Sequence, residues 1–168
     1  MQQTGNLLSA QVWNNGVKAL NDFLSNKPTF KAVSTLGQSV SNNTWTVVQY
    51  NQGRLDTDGG HTSIGNNGRY TCQVAGMYWV KGSAGWAVNV APTCRIDTAI
   101  AKNGSTWSGS GAFQERQTSN FAHFSTSGLV RMNVGDYVEI WVRQSSGSTL
   151  SLDNSTLYAD FTVAWIAQ

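Results

Sequence analysis

Proline is almost missing from this chain, with two in 168 residues, and charge is scarce, with Asp, Glu, Lys and Arg together at 12%. An ordinary soluble protein carries about 25% charged residues. Asn, Gln, Ser and Thr supply the polarity instead, so the surface is expected to be solvated and nearly neutral. Net charge is +2, and the eleven basic residues are scattered. Without a Lys/Arg cluster there is no electrostatic footprint for nucleic acid.

Long apolar runs are missing too. Nothing approaches the ~20 apolar residues of a membrane-spanning helix, so no membrane insertion is expected. Met1 to Ala10 lack the basic start and apolar run of a secretory signal, which predicts synthesis in a cytoplasm. Asn42-Asn43-Thr44, Asn103-Gly104-Ser105 and Asn154-Ser155-Thr156 are formal glycosylation sequons that read as plain turns in that setting.

Cysteine is limited to Cys72 and Cys94, with no adjacent His pair, so there is no zinc pattern. Cys72 shares a strand face with Tyr70 and Val74, and Cys94 with Ile96 and Ile100. Both read as buried free thiols behaving as small hydrophobes, a disulfide being the alternative. Catalytic signatures are lacking as well: no Gly-x-Ser-x-Gly elbow and no His-Glu-x-x-His. Asp56-Thr-Asp-Gly-Gly-His61 opens like a calcium loop, but Gly60 stands where a third ligand belongs and Asn67 where the bidentate Glu belongs. Its Asp residues read as turn caps. Glu115 and Glu139 could form a glycosidase pair only if the fold brought them within ~5–9 Å. No metal, cofactor or catalytic residue is expected, and the chain reads as a non-enzyme.

What the chain does have is aromatic residues, 7 Trp, 6 Phe and 5 Tyr, and 17 glycines spread between short apolar runs. Gly128 to Arg143 shows the organisation. Val138, Ile140 and Val142 alternate with Tyr137, Glu139, Trp141 and Arg143, which predicts a strand with one face in a core. Gly135-Asp136 supplies turn chemistry before it. Period-two stretches near 30–36, 44–50, 69–74, 76–89, 93–102, 105–108, 117–125, 128–133, 136–144 and 156–167 predict an all-β, ten-strand antiparallel sandwich. Asn103-Gly104 marks a hairpin.

Before that sandwich, Ala10, Trp13, Val17, Leu20 and Leu24 are spaced 3, 4, 3, 4, which predicts one short α-helix over about 10 to 25. Ser9 is its expected N-cap, and Asn26-Lys27-Pro28 stops it. Two heptads with Gly16 inside cannot stand alone in water. The helix docks either on its own domain or on an assembly. Residues 1–29 read as an N-terminal segment for anchoring or assembly, with Trp13, Val17, Leu20 and Leu24 as its contact stripe, and residues 30–168 as the head.

Two strands are apolar on both faces. Met77 and Trp79 lie opposite to Tyr78 and Val80; Tyr158, Ala164 and Ile166 lie opposite to Phe161, Val163 and Trp165. A sandwich buries one face of each sheet, so the second face needs a cover. Met77, Trp79, Tyr158 and Ile166 are the candidate subunit interface, with coverage by the helix the simpler alternative. Trp86, Trp107 and Phe113, near strand bends or in a Gly-rich loop, are candidate contacts for a sugar ring or a protein surface. The alternative is a Trp folded back over the sandwich.

Gly76-Met-Tyr-Trp-Val80, Ile100-Ala-Lys-Asn-Gly104, Leu129 to Val138 and Phe161 to Ile166, in that order, resemble the jelly roll shared by tumour necrosis factor and the globular heads of the first complement component. That resemblance implies a tight homotrimer. It also implies that the strand at 136–144 separates the two cysteine strands by about 10 Å, beyond the ~7 Å a disulfide allows. Gly5-Asn-Leu-Leu-Ser-Ala10, Trp13-Asn14, Phe23-Leu24, Pro28, Asn43-Thr-Trp-Thr-Val47 and the Asp56 to His61 loop are similar to small virion proteins of tailed bacteriophages. This second resemblance implies a structural component of the virion, at the tail or as a capsid decoration. Its partners would be sister copies, other virion proteins, and a host surface glycan or receptor. A carbohydrate-binding module using exposed Trp residues is the rival reading.

Overall fold

The computed structural model describes residues 10–87, 93–116 and 122–168. Ser9, the Gly5 to Ala10 motif short of its last residue, and parts of the stretches read as strands at 76–89 and 117–125 lie outside the described residues. Helix α1 runs Ala10–Ser25. The strands are β1 Thr29–Val33, β2 Ser39–Val40, β3 Thr46–Val47, β4 Gln52–Asp56, β5 Arg69–Thr71, β6 Gly76–Trp86 and β7 Cys94–Lys102. They continue as β8 Ser105–Thr106, β9 Ala112–Arg116, β10 Ala122–Met132, β11 Tyr137–Gln144, β12 Leu150–Ser151 and β13 Asp160–Ala167.

Two antiparallel sheets face each other. One has the order β10-β6-β13-β1-β4; the other has β3-β11-β7-β8, with β5 also on β11 and β9 also on β7. The all-β antiparallel sandwich with one short N-terminal helix is therefore present. Among the described residues thirteen strands stand where ten were expected, because short pieces such as β3, β5, β8 and β9 pair separately. Alternation decides what each sheet buries. Tyr78 and Val80 from β6, Phe161 and Val163 from β13, Ile96 and Ile100 from β7, and Val138, Ile140 and Val142 from β11 meet in one core.

Differences from the expected strands have physical causes. β13 begins only at Asp160, because residues 156–158 form a turn. β4 was not anticipated: its residues are exposed after the first, so no apolar alternation marks it. The two expected turns are present. Asn103 and Gly104 both take positive φ, 50° and 78°, as a two-residue hairpin turn needs. At the second turn Gly135 has φ 88°, and Asn133 N donates to Asp136 Oδ2 at 2.8 Å. Asn103 Nδ2 donates to Asp136 Oδ1 at 2.8 Å, which ties the turns together.

Helix α1 has no buried residue. Its last turn reaches the head through Phe23, whose ring meets Trp165 edge-on at 5.1 Å. Lys27 Nζ sits 5.4 Å from the same indole. Trp13, Val17, Leu20 and Leu24 all remain exposed. Among the described residues no helix is long and apolar enough to cross a membrane.

Candidate binding groove

The outer face of the six-stranded sheet is where aromatic and charged side chains collect. β11 and β7 run side by side, with Glu139 opposite Ala101, Trp141 opposite Ala99 and Arg143 opposite Asp97. With Val138, Ile140 and Val142 in the core, Glu139, Trp141 and Arg143 fall on the outer side. β5 adds Arg69 opposite Glu139. β9 adds Phe113 opposite Asp97 and Glu115 opposite Arg95.

Register turns these residues into a ladder of partners. The Arg69 guanidinium lies 3.5 Å from the Tyr137 ring centroid and donates to Glu139 Oε1 from Nε at 3.0 Å and Nη2 at 2.8 Å. Glu139 Oε2 accepts from Trp141 Nε1 at 3.0 Å. The Trp141 ring stands 6.4 Å from that of Trp45, and the Arg143 guanidinium lies 4.9 Å from the Trp45 ring. Arg143 donates to Asp97 Oδ2 from Nε at 3.1 Å and Nη2 at 2.9 Å. Asp97 Oδ1 accepts from Arg95 Nε at 2.7 Å, and Arg95 lies 4.4 Å from the Phe113 ring. Glu139 and Asp97 are both buried, which a carboxylate tolerates when charge-assisted bonds replace its water.

The ladder ends in a groove of about 280 Å³, walled by Trp45, Trp107 and Phe113 and lined by Arg95, Asp97 and Arg143. Trp107 is fixed in place. Its Nε1 donates to Leu129 O at 3.1 Å, its backbone N donates to Ile100 O at 2.8 Å, and its ring packs against the core. Beyond it lies a second depression of about 520 Å³, which shares Thr106 and Trp107 and adds Lys102, Asn103 and Ser108. Lys102 Nζ is 5.5 Å from the Trp107 ring and 2.9 Å from Asp136 Oδ2. The Gly-rich loop carrying Trp107 is largely exposed but anchored at its end. Buried Ser110 holds it, with its Oγ donating to Trp107 O at 2.7 Å and accepting from Ile100 N at 3.1 Å.

The other expected contact residues divide. Phe113 is 67% exposed at the groove. Trp86 is 0% exposed, so the reading of Trp86 as a ligand contact is corrected: its position in β6, facing the core, makes it a core residue. Trp107 both packs on the sandwich and borders open space. Among the candidate interface residues, Trp79 is 37% and Ile166 51% exposed, and Met77 is half-buried. Leu129, 58% exposed, joins them, since it pairs with Trp79, which in turn pairs with Ala164. Tyr158 lies in the turn before β13, not on the strand, and its ring is 5.9 Å from that of His123.

Cys72 and Cys94 are buried thiols, not joined to each other. Cys94 is on β7, Cys72 follows β5, and both strands pair with β11 between them. Burial raises the Cys72 pKa, so the protonated, unreactive form is favoured. In the Asp56 loop, Asp56 Oδ1 accepts from Gly59 and Gly60 N at 3.0 and 3.2 Å, and Oδ2 from His61 N at 3.0 Å. Those bonds cap a turn. Asp58 Oδ2 accepts from the Tyr70 hydroxyl at 2.7 Å. Burial raises both groups' pKa, against the opposing effect of that bond on Asp58. No three His, Cys, Asp or Glu side chains cluster for a metal among the described residues. Glu115 and Glu139 stand opposite Arg95 and Ala101, six residues along β7 and so about 20 Å apart, too far for a glycosidase pair.

Sequence reasoning missed Trp45, Arg95, Asp97 and Arg143 as members of one site. Each lies in an ordinary-looking strand or loop, and only cross-strand register brings them together.

No protein-family model and no curated protein sequence matches the chain. Solved structures do. The globular domain of zebrafish complement 1qA protein is similar over 84% of this chain and 99% of its own, with a TM-score of 0.60 and 17% identity. Murine APRIL, from crystals at pH 5.0, is similar over 83% of this chain and 98% of its own, with a TM-score of 0.60 and 13% identity. At such identities the likeness is one of fold: the head is a jelly roll of the kind shared by tumour necrosis factor and the complement globular domain.

Proposed function

We infer that this chain is a non-enzymatic structural protein of a bacteriophage particle, built as a homotrimer of jelly-roll heads. The observation that carries self-association is the outer face of the five-stranded sheet. There Leu129, Trp79 and Ala164 form one row across β10, β6 and β13, with Met77 beside it and Ile166 beyond, and Leu129, Trp79 and Ile166 are all substantially exposed. A contiguous apolar strip on a strand-rich face is what an assembly interface looks like before it is covered. The jelly-roll resemblance supports three copies.

The exposed stripe of α1 supports an anchoring role for the N-terminal segment. Trp13, Val17, Leu20 and Leu24 are placed for burial yet lie uncovered on the single chain. The order helix, then jelly roll, together with the N-terminal motif, supports a virion component, at the tail in preference to the capsid, that presents the head to the host surface. Gold-labelled antibody against the chain, viewed by electron microscopy on purified phage particles, tests this. Label at the tail is expected; label on the capsid would move the protein to a decoration role, and unlabelled particles would end the virion reading.

A further inference from the structure

We propose that the groove between Trp45, Trp107 and Phe113 binds a neutral saccharide. This does not depend on the trimer or the particle reading, since every residue it uses lies within one chain and none belongs to the Leu129–Trp79–Ala164 strip.

The aromatic walls set the class of ligand. A pyranose has an apolar C–H face that lies against an aromatic ring and a rim of hydroxyls that needs hydrogen bonds. The groove offers both. Phe113 and Trp107 present rings at its edge, and Trp107 stands between this groove and the adjoining depression. A second sugar unit has room on its far side. The volume of about 280 Å³ is at the small end of small-molecule sites, which suits one ring in the groove and a neighbour beyond the tryptophan.

The polar groups set the charge. Arg95 and Arg143 share the single carboxylate of Asp97, and Glu115 stands opposite Arg95 in the β7–β9 register. Lys102, across Trp107, is answered by Asp136. The two guanidiniums are thus set against Asp97 and, one strand over, Glu115, and Lys102 against Asp136, so the formal charges around the groove sum to zero and favour a neutral ligand. Each guanidinium carries five N–H donors in a rigid plane, and Asp97 occupies only part of them. Both side chains line the groove, held by Asp97, and their remaining donors suit pairs of neighbouring hydroxyls. Preorganisation matters for weak sugar binding, because the ladder from Tyr137 to Phe113 immobilises these side chains before any ligand arrives.

Saturation-transfer NMR on the full chain with maltotriose, mannotriose, galactotriose and chitotriose, and with N-acetylneuraminic acid as the anionic probe, tests the proposal. Transfer to one or more of the neutral trisaccharides is expected, with weaker or no transfer to the acid. Phe113→Ala is the clean variant because the ring is 67% exposed and its loss spares the core; it should weaken binding by about tenfold. Arg95→Met keeps the aliphatic stem, removes the donors and should do the same. Unchanged melting of both variants shows that the head is intact. No transfer to any neutral trisaccharide, transfer to the acid alone, or binding indifferent to both substitutions would each overturn the assignment.

Discussion

Ile140 of β11 fills the space that a side chain at Gly82 of β6 would need. A Cβ built on Gly82 would stand 2.1 Å from Ile140 Cγ1 and 2.3 Å from its Cδ1. The two sheets approach closely here, and the glycine is required by approach and not by backbone angle. Gly82→Ala should destabilise the head by about 1–3 kcal/mol, the range for overpacking a dense core. Urea unfolding measures it. Adding Ile140→Val should recover part of the loss; equal stability of Gly82→Ala and wild type would show that the contact relaxes freely.

The β10–β11 turn has an acid-sensitive lock. The Asp136 pKa is lowered from 3.8 to about 2, chiefly by the backbone N–H of Asn133, then by the Asn103 amide and Lys102. A folded pKa below the unfolded value means stability fully present above about pH 4 and lost as pH falls toward about 2. Asp136→Asn should therefore be less stable than wild type at pH 7, and the gap should close over that window. Unfolding curves across the pH series check it, and a gap constant with pH would refute the assignment.

Asp58 should behave with the opposite sign. Burial raises its pKa in the fold, so its contribution favours folding below the unfolded value of about 3.9 and is lost as pH rises through the folded value. Asp58→Asn keeps an acceptor for Tyr70 without the charge. Relative to wild type it should gain stability as pH rises through that region. Tyr70→Phe removes the donor to the half-buried carboxylate and should cost about 1.5–3 kcal/mol at neutral pH. The same unfolding series measures both.

The exposed stripe of α1 makes its own prediction. A 16-residue helix with Gly16 inside is marginal in isolation. If sister copies or a particle partner bury the stripe, Leu20→Asp should lower the far-ultraviolet helix signal of the assembled protein while the head melts unchanged. An unchanged helix signal would mean that the Phe23–Trp165 contact suffices to hold it.

Local chemistry was legible in the sequence, and cross-strand placement was not. The 3, 4, 3, 4 spacing marked α1, and Asn103-Gly104 and Gly135-Asp136 marked two turns, because those signals sit within a few neighbouring residues. Alternation in Tyr137 to Arg143 told which side chains leave the core. It could not tell that Arg143 would meet Asp97, 46 positions earlier, or that Arg69 would clamp Glu139, because register is set by the whole sheet. Trp86 shows the same limit from the other side. Flanking Gly85 and Ala87 suggested a bend and exposure, yet Trp86 is the last residue of β6 and alternation places the indole in the core. β4, an exposed edge strand, carries no apolar alternation at all.

The central claim is that the strip formed by Leu129, Trp79 and Ala164 is an interface between copies of this chain. Sedimentation equilibrium of the full chain at micromolar concentration tests it most directly. The account predicts three times the mass of the single chain for wild type, falling to that of one folded chain in the Trp79→Asp, Leu129→Asp double variant. Wild-type protein at the single-chain mass would contradict it.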